Sequence, residues 1–177
     1  MKAVILAIAV VLASCAFAQD QDKPAVAKAK AACGPSDVEF DVTTDKTSQP
    51  AGQAEDGKAL VYIIEEHIGS CGITCRPTTK VGLDGSWVGA NQGDSYFSFA
   101  VAAGEHHLCA NWQSKFAFNR RLVALTNFIA EAGKVYYFRM RIEEVKGRSV
   151  FDLDPVNSDQ AQLLVASFPL STAHTKK

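Results

Sequence analysis

Val135 to Glu144 reads VYYFRMRIEE, and its alternation decides the fold class. Tyr136, Phe138, Met140 and Ile142 fall on one side of an extended chain, with Tyr137, Arg139 and Arg141 on the other. That period of two is the mark of a strand with one face turned to a core. On either side the pattern repeats. Leu122 to Ala130 reads as a strand closed by Glu131-Ala132-Gly133, and Lys146-Gly147-Arg148 turns the chain into Val150 to Leu153.

Further upstream, Ala59 to Glu65 (ALVYIIE) is an unbroken β-branched and aromatic run, as expected of a strand covered on both faces. Lys80 to Leu83, Asp84-Gly85 and Ser86 to Val88 spell a hairpin with a type I′ turn. Tyr96 to Val101 alternates; after Ala102-Ala103-Gly104, His106, Leu108, Ala110 and Trp112 share one face of the next strand. Val38, Phe40 and Val42 alternate with Glu39, Asp41 and Thr43 at the front. Only the end looks helical: Asn157 or Ser158 can cap, Asp159 suits the first turn, and Pro169 stops the run. The expectation is a mainly β protein, an antiparallel β-sandwich of about 7–9 strands with one short C-terminal helix over an edge or open face.

The 177 residues suit one domain, and 47% hydrophobic content excludes an intrinsically disordered chain. A formal net charge of -1 gives no basic face for nucleic acid.

Met1-Lys2 and the apolar run to Ala16-Phe17-Ala18 read as a secretory signal over 1–18, too short for a membrane span of about 20 apolar residues. Leu12-Ala13-Ser14-Cys15 also fits a lipobox, so lipidation of Cys15 at the cell envelope is the competing expectation. Residues 19–36 read as a flexible leader, 44–58 as a long loop, and 37–177 as the single β-sandwich domain. Setting Cys15 aside, Cys33, Cys71, Cys75 and Cys109 form an even set for an oxidising compartment. They allow three pairings; the preferred one clips Cys71 to Cys75 and staples Cys33 to Cys109.

Four stretches together carry a resemblance. KALVYIIEE (58–66), VGLDGSWVG (81–89), GDSYFSFAVAAGEHHLCANWQS (93–114) and EAGKVYYFRMRI (131–142) resemble the bacterial family called domain of unknown function 2846. They are more distantly similar to PEGA-type small β-sandwiches. The likeness spans 58–164, and Ala103 stands where the family usually carries proline. It implies a β-sandwich exported or lipid-anchored at the envelope, and it supplies no catalytic residues.

Among candidate sites, His107 and Cys109 share a strand face and, with Cys71 or Cys75, have the donor types that zinc and copper accept. Against this, a disulfide at Cys109 and a surface role for His107 are expected. Cys71-Gly72-Ile73-Thr74-Cys75 has three intervening residues where redox pairs favour two, so a structural clip is expected, with His67 nearby in a loop. The neighbouring carboxylates Glu65-Glu66 and Glu143-Glu144 point to opposite strand faces and are expected to be solvated. Tyr137, Arg139 and Arg141 present two cations and a phenol, a possible interaction surface whose plainer reading is cross-strand ion pairing. Trp87 and Trp112 are assigned mostly to the core, an exposed one marking a contact surface.

No nucleophile elbow, zinc helix or phosphate loop is spelled in the chain. The expected role is therefore a non-catalytic exported module with no cofactor. Its partner would be an unknown envelope protein or polymer, with no nucleic acid and no transmembrane span. The alternative is a metal-binding or thiol-active periplasmic protein.

Overall fold

Alternating segments fold into two sheets in the computed structural model, which describes residues 31–48, 52–67, 76–113, 122–145 and 148–176. The elements are β1 (Phe40–Asp45), β2 (Lys58–His67), β3 (Thr78–Leu83), β4 (Ser86–Gln92), β5 (Ser95–Ala102), β6 (Gly104–Gln113), β7 (Val123–Ala130), β8 (Val135–Val145), β9 (Arg148–Pro155), the helix α1 (Ser158–Ser167) and β10 (Leu170–Thr175). The larger sheet runs β1-β10-β5-β2-β8-β9 and the smaller β4-β3-β6-β7.

The core lies between the sheets. Val61, Ile63, Phe97, Phe138, Met140 and Leu153 of the larger sheet pack on Val81, Leu108, Ala110 and Ala124 of the smaller. Opposite parity on β2 explains the third layer. Leu60, Tyr62 and Ile64 face outward, where Ala161 and Leu164 of α1 cover them. A strand sandwiched between a sheet and a helix must be apolar on both sides, which is why ALVYIIE does not alternate. The helix starts where Asn157 Oδ1 accepts the Gln160 N–H at 2.9 Å and ends before Pro169. At the β3–β4 turn Asp84 (φ 51°) and Gly85 (φ 92°) both take the left-handed conformation that a type I′ turn requires.

Three expectations need correction. Among the described residues the sandwich has ten strands, and its larger sheet is mixed: β2 pairs with β8 in parallel, and β10 with β5. β5 runs against β2 on one side, and β8 returns along β2 in the same direction on the other. Helix α1 performs one further return and sets β10 parallel to β5. The additional strand is β10, LSTAHT, whose short polar residues carry little alternation.

The boundary of the folded part also moves. Residues 31–36, placed in the leader, lie against the smaller sheet, with Ala32 fully buried. Residues 1–30, including the signal and the Cys15 lipidation site, fall outside the described residues. Within the loop placed at 44–58, Asp45 still belongs to β1, and Gly52 and Ala54 pack on Tyr62 and the outer face of β2.

Candidate binding cleft

The outer face of the smaller sheet is crossed by residues 31–39, and one missing side chain makes this possible. Gly82 on β3 stands opposite Cys109 on β6. A Cβ at Gly82 would lie 2.6 Å from the carbonyl oxygen of Ala32 and 3.1 Å from Cα of Cys33. The strap therefore runs at backbone distance over the sheet, and Cys33 reaches Cys109 in a disulfide with Cα atoms 5.1 Å apart.

Successive strap carbonyls are then taken up by the sheet. Gly85 N–H donates to Ala32 O at 3.1 Å. Trp87 Nε1 donates to Pro35 O at 2.8 Å, with its ring against Gly34. Lys80 Nζ donates to Val38 O at 2.8 Å. Gln113 closes the series with its side-chain amide, accepting from Phe40 N–H at 2.7 Å and donating to Phe40 O at 2.9 Å. Phe40 then enters β1 in the other sheet.

Between strap and sheet lies a cleft of about 470 Å³, lined by Ser36, Asp37, Glu39, Lys80, Trp87 and Asn111 among others. Lys80 forms its floor, 5% exposed, with Nζ 4.4 Å from the centre of the Trp87 ring. Burial lowers its ammonium below the usual lysine value, while the carboxylates of Glu39 and Asp37 pull the other way. The rim is acidic, and Glu39 lies 3.4 Å from Lys176. Such a groove suits hydrogen-bonding or cationic groups that can lie along an indole edge. Replacing Gly82 with valine is expected to push the strap away. Overpacking against backbone costs about 1–3 kcal/mol, to be read as a lower urea midpoint with a red-shifted tryptophan emission. An unchanged spectrum and midpoint would contradict the close approach.

Elsewhere the sequence candidates find structural partners. Cys109 is bonded to Cys33, so its sulfur is not available as a metal ligand in this state. His107 Nε2 lies 3.6 Å from Glu105, and Cys71 and Cys75 fall outside the described residues. Among the described residues no group of three or more His, Cys, Asp or Glu side chains is placed to hold a metal. His106 and Asp84 join the β3–β4 turn to β6. His106 Nδ1 lies 2.6 Å from Asp84 Oδ2, and His107 N–H donates to Asp84 Oδ1 at 2.8 Å. Burial alone would raise the Asp84 carboxyl, but these hydrogen bonds outweigh it and hold the group below the usual value.

On the helix-covered face, Tyr137 stacks on Tyr62 with ring centres 5.1 Å apart. Arg139 lies 3.3 Å from Glu66 and Arg141 3.9 Å from Asp154. The proposed cationic surface is thus a row of cross-strand ion pairs beside a half-buried phenol.

Glu65 corrects another expectation. It is not solvated but 1% exposed, because β2 stays between the sheets past Ile63 and Glu65 is its next inward residue. Its Oε1 accepts from Thr79 Oγ1 at 3.1 Å, and burial raises its carboxyl well above the usual value. His67, read as a loop residue, ends β2, with its N–H donating to Asp94 at 2.8 Å.

The cleft itself was not among the sequence candidates. A lysine inside a core strand two residues before a glycine, both opposite the cysteine strand, is the signal that marks it.

No family model, curated protein or solved structure matches this chain. Fold and cleft therefore rest on its own residues. Among the described residues no helix is long and apolar enough to cross a membrane.

Proposed function

We propose that this chain is an exported, non-catalytic β-sandwich, secreted or periplasmic, that serves as a structural or interaction module at the bacterial cell envelope. The observation that carries the reading is the Cys33–Cys109 bridge, which ties the N-terminal strap across the sheet. Disulfides of this kind persist in oxidising compartments. The signal-like segment before Gln19 and the resemblance to domain of unknown function 2846 point the same way.

The committed charges support a non-catalytic role: Lys80 holds the strap, Asp84 holds a turn, and Arg139 and Arg141 face carboxylates of neighbouring strands. The strap cleft is the contact surface, and its acidic rim and indole favour an envelope protein or polymer rich in amide, hydroxyl or cationic groups.

Peptide mapping of protein recovered from the cell envelope without reductant tests this. The expected map begins at Gln19, or at an acylated Cys15, and contains the Cys33 peptide joined to the Cys109 peptide. Recovery from the cytoplasm with free thiols at Cys33 and Cys109 would overturn the proposal and return attention to thiol chemistry.

A further inference from the structure

His106 has two ring nitrogens, and each meets an oxygen that can only accept. Nδ1 lies 2.6 Å from Asp84 Oδ2, and Nε2 lies 2.9 Å from the carbonyl oxygen of Ala102. A backbone carbonyl carries no proton. Burial raises the Asp84 carboxyl, but its hydrogen bonds to His106 and His107 hold it below the usual value, so it is ionised around neutrality. A neutral imidazole has one N–H and one lone pair. Only the imidazolium, with a proton on each nitrogen, donates to both oxygens at once. The side chain is 13% exposed, so water has little access to a nitrogen left without a partner.

The two bonds fasten separate turns together. Asp84 opens the β3–β4 turn, and Ala102 ends β5 just before Gly104 starts β6. The β3–β4 turn also receives the strap. Asp84 N–H donates to His107 O at 3.0 Å, and the next amide, Gly85 N–H, donates to Ala32 O at 3.1 Å.

Among the described residues, Asp84 is the one charged side chain hydrogen-bonded to the ring. From β7 the facing side chain is Phe128, with ring centres 5.7 Å apart. Behind it lies Tyr136 of β8, whose hydroxyl accepts from Glu131 N–H at 3.0 Å. β5 carries no charged side chain, and Lys58, opposite Ala102 on β2, pairs with Glu55 at 2.6 Å. Glu105 and His107 flank His106 on β6 and alternate to the other face, where they lie 3.6 Å apart.

We propose that His106 is a proton-operated clasp between the β3–β4 and β5–β6 turns, closed as the imidazolium and half released when the ring loses a proton. The remaining proton stays on Nδ1, where the acceptor is a carboxylate, because charge-assisted hydrogen bonds are the stronger kind. Nε2 then turns a lone pair toward Ala102 O, and the two acceptors part. The turn loosened by this is the one that holds Ala32, so the loss reaches the first contact of the strap. Asp84→Asn removes the conflict. Asparagine suits the left-handed φ of 51° at this position; its oxygen accepts from His107 N–H, and its amide donates to Nδ1. A neutral ring with its proton on Nε2 then keeps both bonds. This clasp is independent of the export reading, which is tested by peptide map.

Long-range proton–nitrogen correlation spectra of the full chain without reductant test it. Recorded from about pH 5 to about pH 8, where histidine changes charge, they report which ring nitrogens carry protons. Hydrogen exchange on the same samples gives protection factors for the amides at positions 84 and 85. In wild type both nitrogens of His106 are expected to be protonated at the acid end, and Nδ1 alone at the alkaline end. Over the same interval both protection factors are expected to fall about tenfold, the size of one charge-assisted hydrogen bond. D84N is expected to pass to the Nε2-protonated ring and to keep its protection. His106→Phe, which keeps the packing on Phe128, is expected to show the lower protection at every pH. A wild-type ring whose protonation does not change across the range, or whose neutral form carries its proton on Nε2, would overturn the proposal. So would a change in protonation without a change in protection, a D84N variant that loses protection as wild type does, or an H106F variant as protected as the closed form. If H106F fails to fold, the comparison of wild type with D84N decides alone.

Discussion

Replacing Cys33 and Cys109 together by alanine is expected to lower the unfolding free energy by about 4 kcal/mol, the size expected for closing a long loop in the unfolded chain. The two cysteines are separated by 76 residues, and the bridged loop contains β1 to β5 and part of β6. For a chain of this length each kcal/mol moves the thermal midpoint by about 2–4 °C, so a fall of roughly 8–16 °C follows. The strap's hydrogen bonds to Gly85, Trp87, Lys80 and Gln113 survive in principle, but each is worth only about 0.5–1.5 kcal/mol. Urea unfolding of wild type and the double variant measures the difference. A loss below about 1 kcal/mol would mean that the strap docks without its bridge.

Glu65→Gln is expected to flatten the pH dependence of stability. Burial holds the Glu65 carboxyl well above its usual range in the folded state, so the native protein binds a proton that the unfolded chain releases. Stability from this group is fully present below the unfolded carboxyl value and is lost as pH rises through the raised one. Each pH unit inside that window costs the fold about 1.4 kcal/mol. Asp45 and Asp84 act in the opposite sense, because their carboxyls are lowered, Asp45 to about 2. Subtracting the variant's stability curve from that of wild type isolates Glu65. Gln keeps the shape and the oxygen that accepts from Thr79, so the variant should gain on wild type steadily from mildly acid to neutral pH. Parallel curves would show that Glu65 is ionised in place.

Strand positions were legible because alternation reports which way a side chain points. VYYFRMRIEE, the Asp84-Gly85 turn and the doubly covered ALVYIIE are all visible without a structure. Alternation does not report which strand lies beside which, so the parallel placement of β8 next to β2 was hidden. β10 escaped because Ser171, Thr172 and Ala173 are small, and the burial of Ser171 comes from the neighbours it sits between. Glu65 escaped for the converse reason. A glutamate at the end of an apolar run looks like the point where the strand meets water, and only the length of the opposing β3 shows that it does not. The cleft depended on a contact between residues far apart in sequence, with Lys80, Gly82 and Cys109 as its local traces.

The insertion of β10 between β1 and β5 also dictates an order of events. β1 is among the first strands made and takes its partner, β10, from the last. Until Leu170 to Thr175 are present, β1 has no place in the sheet, and the strap that leads into it is left with only its contacts to the smaller sheet. Topologies closed by such distant pairings fold slowly, in milliseconds to seconds rather than microseconds.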